Sequence, residues 1–386
     1  MTSTRVFIAG AYEHPARVLP DTSLSQIHAE VALGALADAG LTLADVDGYL
    51  CGTNAPGFGA LSMVDYLGLN PSYVDTTETG GSSYMVYLGH AASAIAAGKC
   101  DVALITLAGR PRQIAEGGFR FWPDAPEYSF EDIYGTPNVV SYALAAKRHM
   151  YEFGTTNEQL AMVKVTASQH AKHNPHAFLR NETTVDQVLA SPMVSDPLHR
   201  DDCCVITDGG GALVVVSAAV AKELPRHCIR IMGQGEAIKH PCGGAVDLTY
   251  SGAVWSGARA YAEAGVTAAD IDYASIYDSF TITVVETIED LGFCAKGDGG
   301  PFVGSGALRA PDGAIPFNTD GGGLCNNHPG NRGGMTKIIE AVRQLRNEAH
   351  PAVQVRDCEI ALAHGTGGLL GSRMGSATVI LGREDA

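Results

Sequence analysis

Apolar positions along the chain fall into short runs separated by stretches with helical spacing. ALITLAG (residues 103–109), ALVVVS (212–217) and EIALA (359–363) are nearly continuous apolar runs, as expected for strands covered on both faces. GYLCG (48–52) and YASIYDSF (273–280) read as two further strands. Segments Ser82–Gly98 and Gly334–Arg346 have helix-like patterns, and each follows a Gly-rich turn. Helix, strand, Gly-rich turn, helix, strand is an α/β order, and it occurs twice.

The two occurrences are related in sequence. Residues 37–47 read ADAGLTLADVD and residues 262–272 read AEAGVTAADID, 225 positions further on. In each copy a helix should stop at a glycine (Gly40, Gly265), a short turn should follow, and a strand should begin after the final Asp. A second echo relates Cys100-Asp-Val-Ala-Leu104 to Cys358-Glu-Ile-Ala-Leu362. The pattern predicts two similar halves, residues 1–225 and 226–386, with a junction near AKELPRH (221–227). The first half carries an insertion at about 110–200, rich in Pro, aromatic and His residues, which reads as a mainly helical loop domain.

Composition narrows the function classes. The 386 residues are 46% hydrophobic and 18% charged, a balance that favours extensive burial over long disordered segments. The net charge of −16, with no run of Lys and Arg, gives no footprint for nucleic acid or an anionic membrane face. The first apolar run, Val6 to Gly10, is too short for a signal-peptide core, and no stretch approaches the roughly 18 apolar residues of a membrane span. A cytoplasmic location is expected. Nine cysteines without a CxxC pair suit reduced thiols better than a disulfide framework.

Four polar clusters stand where strands end or helices begin, the usual place for sites in α/β sheets. The first is Thr77-Glu-Thr-Gly-Gly-Ser-Ser-Tyr84, opening a helix whose free N–H groups suit an oxyanion or a nucleophile; Ser82 or Ser83 could equally be a simple cap. The second, Tyr277-Asp278-Ser279-Phe280, lies at a strand end. The third runs from Asn318 to Gly334 and holds six glycines, two consecutive asparagines ending in Asn327, and His328 before a proline, a composition unsuited to a core. The fourth is Ala363-His-Gly-Thr-Gly-Gly368, in which Gly365 and Gly367 would let backbone approach a substrate and His364 would stand at the end of its strand. A dinucleotide GxGxxG is excluded, because the sixth position is Leu370. His170, His173 and His176 recur every three residues, but Pro175 interrupts the helix that would align them, so no metal site is expected. Cys203-Cys204 reads as core packing.

Together, the duplicated halves, the Tyr-Asp-Ser-Phe segment, the Gly-Gly-Gly…His-Pro-Gly turn and the terminal Gly-Thr-Gly-Gly resemble the thiolase superfamily, closest to its lipid-transfer-protein or sterol-carrier-protein-X-like branch. The resemblance implies a duplicated five-layer αβαβα fold, a homodimer and an acyl-CoA substrate entering under the loop domain. It also implies a nucleophilic Cys at the start of the first half's central helix, a His in the third cluster and a second Cys in the fourth. This chain has Gly80-Gly81-Ser82-Ser83 at the first of these and His364 at the last, while His328 matches the family His. Tyr277 stands where thiolases place an oxyanion-hole Asn or His.

A serine hydroxyl is far less acidic than a thiol and needs an adjacent base, so covalent acyl transfer is disfavoured. The proton-transfer groups that remain, Tyr277, His328 and His364, suit C–C bond cleavage through a thioester enolate. The sequence is similar to thiolase-like steroid side-chain aldolases, which cleave a β-hydroxyacyl-CoA to a ketone or aldehyde and a shorter acyl-CoA. These are implied to use a tyrosine at the position of Tyr277 and a second one where this chain has His328.

The expected catalytic set is thus Tyr277, His328 and His364, with Gly80, Gly81, Ser82, Asp278, Asn327, Gly365 and Gly367 binding the substrate or its oxyanion. No cofactor is expected beyond the coenzyme A of the substrate. The resemblance also implies a companion protein with an OB-fold and a zinc ribbon, forming a heterotetramer. The alternatives are a thiolase-type acyltransferase and a non-catalytic acyl-CoA or lipid carrier.

Overall fold

The repeated segments fold alike. Helix Leu24–Ala39 ends at Gly40 (φ 74°) and helix Ala253–Ala264 at Gly265 (φ 72°), both in the left-handed conformation that glycine adopts without a Cβ penalty. After each, Thr42 with Asp45, or Thr267 with Asp270, closes a reciprocal capping box before the chain enters a strand. The computed structural model describes residues 5–114, 129, 138–240, 246–330, 333–368 and 374–384.

The strands in chain order are β1 (Val6–Glu13), β2 (Gly48–Cys51), β3 (Tyr73–Asp75), β4 (Val102–Gly109), β5 (Met193–Ser195), β6 (Leu198–His199), β7 (Gly209–Ser217), β8 (Ile229–Lys239), β9 (Tyr273–Ile276), β10 (Ile360–Gly368) and β11 (Met374–Gly382). Nine of them hydrogen-bond in the order β3-β2-β4-β7-β1-β8-β11-β10-β9. The β1–β8 contact is only Phe7 opposite Arg230 and Ile8 opposite Ile229, so the array is two half-sheets joined at a narrow seam.

Two central helices, Ser83–Ala96 and Gly334–Leu345, share one core with the inner faces of both half-sheets, from Ile105 and Val215 on one side to Ala363 and Val379 on the other. Helices Leu24–Ala39 and Ala60–Leu67 cover the outside of the first half-sheet. Helices Ala253–Ala264 and Thr281–Asp290 cover the outside of the second. This is the five-layer αβαβα order. The described part of the insertion contains helices Asn138–Phe153, Asn157–Ala171 and Val185–Ala190 and the β5–β6 ribbon.

Two strands differ from the sequence expectation. YASIYDSF is a strand only to Ile276, because Asn318 Oδ1 accepts from Ile276 N–H and Asn318 Nδ2 donates to Ile276 C=O, both at 2.8 Å, closing the ladder there. EIALA instead runs on through the glycines to Gly368, paired with β11 from Ile360–Gly382 to Gly368–Met374. His364 therefore stands in mid-strand.

The halves lock together through backbone. A Cβ on Gly367 would lie 1.9 Å from Thr79 O, and one on Gly334 would lie 2.1 Å from Gly81 O. Gly367→Ala should therefore destabilise the fold by about 1–3 kcal/mol, read as a lowered melting temperature. Gly304→Ala, whose added methyl meets nothing nearer than 3.4 Å, should leave it unchanged.

Candidate functional site

Tyr277 follows β9 directly and is held there by its N–H bond to His364 O (2.9 Å). Its ring backs onto the turn before the first central helix: a Cβ on Gly81 would come within 2.7 Å of Tyr277 Cζ. Its hydroxyl meets His328 Nε2 at 2.7 Å, with the two rings edge to face at 5.5 Å between centroids. Clusters one, two and three of the sequence thus converge on one point.

His328 is fixed through its backbone. Thr207 Oγ1 accepts from His328 N–H at 2.8 Å and donates to Asn327 Oδ1 at 2.7 Å. Asn327 Nδ2 donates to Glu13 Oε1 (2.8 Å), which also receives Arg17 Nη2 (2.9 Å). Arg17 in turn holds Asn326 Oδ1 at 2.7 Å. The side chain of Asn327 is therefore engaged in holding the loop. Asp278 is likewise interior: its carboxylate accepts from the N–H groups of Gly323 (2.7 Å) and Leu324 (3.1 Å) and pairs with Lys337 Nζ at 2.9 Å. Both are braces behind Tyr277 and His328.

The remaining expected residues separate. Ser82 Oγ donates to Thr79 O at 2.7 Å, and Ser83 Oγ accepts from Thr79 N–H at 2.9 Å, so both hydroxyls hold the turn and neither bonds a base. Gly80, Gly365 and Gly367 serve contact between that turn and β10. His364 lies on the outer face of β10 together with Leu362, its Nδ1 on Thr378 Oγ1 (2.8 Å), while Gly365 faces Ser82 and Met85. No contact of His364's ring with Tyr277 or His328 occurs among the described residues.

Two further side chains stand beside Tyr277, one of which, Tyr142, carried no sequence signal. Tyr142, from the loop-domain helix Asn138–Phe153, packs its ring on Phe280 at 4.2 Å, and its hydroxyl reaches Gly368 O at 3.4 Å. Cys204 lies in the electrostatic surroundings of both Tyr142 and Tyr277, and the Gly333 N–H favours the ionised form of Tyr277. A cavity of 580 Å³ in the loop domain, lined by Lys164, Arg180, Arg200 and others, reaches Cys325, three residues before His328.

The electrostatics favour neutral partners. Burial pulls His328 down to about 4, partly countered by Asp278, and holds Tyr277 well above 10. Tyr277 Oη and His328 Nε2 therefore meet as two uncharged groups, and the imidazole tautomer sets which one donates. Burial also pushes Cys204 up to about 12, leaving it a thiol. Lys337, although lowered by burial, is raised overall by Asp278 and Asp320 and stays charged.

The comparisons with known proteins bear on family and fold. Residues 235–383 match the family model "Thiolase C-terminal domain-like". The chain is 33% identical to an acetyl-CoA acetyltransferase of Methanothermobacter thermautotrophicus over 95% of its own length and 97% of that protein's. It is 31% identical to the 17-hydroxy-3-oxo-4-pregnene-20-carboxyl-CoA lyase of Mycobacterium tuberculosis over 89% of its length and 91% of the relative's. The solved structure of an Ltp2-ChsH2(DUF35) aldolase superimposes with a TM-score of 0.89 at 30% identity, covering 98% of each chain. The chain belongs to the thiolase superfamily, in the branch that includes sterol carrier protein 2 and the steroid side-chain aldolases. No helix among the described residues is long and apolar enough to cross a membrane.

A histidine held near 4 when folded and near 6.5 when unfolded contributes stability that is complete above pH 6.5 and lost as pH falls toward 4. Stability measured by denaturant titration should therefore fall less steeply across that window in His328→Phe than in wild type, by about 1.4 kcal/mol per pH unit. Equal slopes would mean that His328 is already charged in the folded protein.

Proposed function

We propose that the protein is a cofactor-free C–C lyase that cleaves a β-hydroxyacyl-CoA by a retro-aldol reaction, with a bulky, steroid-type acyl group. The carrying observation is the neutral Tyr277–His328 pair at 2.7 Å beside a turn that has no thiol and whose serines are engaged with Thr79. The names of the M. tuberculosis lyase and the Ltp2-ChsH2(DUF35) aldolase support it.

In this mechanism the pair removes the substrate's β-hydroxyl proton. The Cα–Cβ bond breaks as the β-oxygen becomes a carbonyl, and its electrons pass into the thioester enolate. His328 then returns the proton to the α-carbon, so the step needs no external oxidant, reductant or net acid. While the enolate exists the pair holds the extra proton, so its positive charge offsets the enolate's negative charge. His364 has no step here, because its ring lies on the other face of β10.

The partners follow the same reading. We take the working assembly to be a homodimer joined by a small OB-fold and zinc-ribbon companion in a heterotetramer, by analogy with the DUF35 protein named with the Ltp2 aldolase. The compartment is the cytoplasm.

Tyr277→Phe and His328→Ala should each lower kcat on a β-hydroxyacyl-CoA by about 10²–10⁴-fold while the protein stays folded. Near-normal turnover in both variants would end the assignment. The similarity to an acetyl-CoA acetyltransferase supports a second reading, acyl transfer. Intact mass after incubation with acyl-CoA separates the two: an unmodified chain is expected, and a stable acyl adduct would favour transfer.

A further inference from the structure

Behind the Tyr277 site, the second half-sheet carries polar residues where its packing calls for apolar ones. On β10 and β11 the side chains of Leu362, Ile380 and Met374 face the outer helices, and those of Ala361, Ala363, Ala377 and Val379 face the central helices. The outward set also includes His364 and Thr366 on β10 and their direct cross-strand partners Thr378 and Ser376 on β11. Four neighbouring polar side chains are thus sealed between a sheet and its covering helices, none more than 1% exposed.

Hydrogen bonding accounts for only part of this square. Thr378 Oγ1 is shared by His364 Nδ1 (2.8 Å) and Ser256 Oγ (2.9 Å). His364 Nε2, Thr366 Oγ1 and Ser376 Oγ have no partner among the described residues. The covering helix Thr281–Asp290 adds Glu286, wholly buried with both carboxyl oxygens also unpartnered. One turn further on, Asp290 accepts from the N–H (2.6 Å) and Oγ (2.9 Å) of Ser251. The adjacent Gly252 sits so near Ser376 that a Cβ there would be 2.7 Å from Ser376 Oγ, which ties the Glu286 helix to the polar square. A marginally stable fold leaves few buried polar atoms unmatched, so these five are atoms to which a hydrogen-bonding group would be drawn.

Tyr142, packed on Phe280, stands between the cluster and the site. Tyr142 feels the charge of Glu286, reaches Gly368 on β10 with its hydroxyl, and itself acts on Tyr277. The groups offered are two hydroxyls, an imidazole nitrogen and a carboxyl that burial and Asp290 hold in its neutral form. Lys239 and Lys296 on its flank are already engaged, Lys239 with Asp247 O and with Tyr250 O (2.5 Å), Lys296 with Asp290 (2.6 Å) and Glu289 (3.0 Å). Glu289 also meets His149 at 3.1 Å. Such a lining matches an uncharged oxygen function, a hydroxyl or a ketone, and offers no free charge to a carboxylate or an ammonium group.

We propose that Glu286, Thr366, Ser376 and His364 form a specificity seat that hydrogen-bonds a hydroxyl or keto oxygen carried by the acyl group away from the reacting carbons. This rests on the acyl-CoA reading above. The probes are cyclohexanecarbonyl-CoA and its 3-hydroxy and 4-hydroxy derivatives, which lack the β-hydroxyl needed for cleavage. Calorimetry on the wild-type chain should show at least one hydroxylated thioester bound about tenfold or more tightly than the parent. In Thr366→Val/Ser376→Ala and in Glu286→Gln that preference should vanish while the parent's affinity holds. Melting curves confirm that both variants fold, as expected when unpartnered buried hydroxyls are replaced by apolar groups of similar shape. Equal affinity for all three thioesters in the wild type would overturn the seat. A preference that survives in both variants would also overturn it. Failure of every thioester to bind the folded wild type would instead sink the acyl-CoA reading, and the seat with it.

Discussion

The structure depends on the contact of three stretches of backbone with almost no side chain between them: the turn Thr79–Ser82, β10 from Gly365 to Gly367, and the start of the helix at Gly334. Each carries glycine where any Cβ would overlap a neighbouring carbonyl or Cα. This contact joins the two halves in the molecule's central layer, far from the narrow β1–β8 seam. Because Tyr277 rests against Gly81, the same contact sets where the phenol stands. A side chain added here would not only destabilise the halves but also displace the ring that meets His328.

A second constraint follows from burying polar chemistry so deeply. Full charges are kept one layer behind the Tyr277–His328 pair, in Asp278 with Lys337 and in Glu13 with Arg17, where each is matched by an opposite charge and by N–H donors. The pair itself stays neutral, since burial disfavours both phenolate and imidazolium. Keeping both groups uncharged at rest avoids placing an isolated ion in a dry interior. The braces reach His328 through backbone and loop side chains, which leaves Nε2 to Tyr277.

Much of the fold was legible in the chain. The 225-residue echo marks the same helix stop, capping box and strand start in both halves, because those are local structures written in Gly, Thr and Asp. Site residues were legible by type more than by direction. Tyr277, His328 and Gly81 converge as their clusters suggested. Asp278 and Asn327 stand in the same clusters but point inward to Lys337 and Glu13, since which way a loop side chain turns depends on partners far off in sequence. Tyr142 had no motif at all: it reaches the site only because the loop domain packs over it.

His364 shows the division most clearly. The sequence determined a histidine beside glycines in the last strand region, two α/β halves and a turn without a thiol, all of them consequences of local pattern and residue chemistry. The face of the sheet on which that histidine lies was decided by tertiary structure. Pairing with β11 carries β10 on to Gly368, and with a side-chain period of two, its register with Thr378 turns the imidazole to the outer face, toward Ser256 and the polar square, while the inner face is left to glycine and backbone.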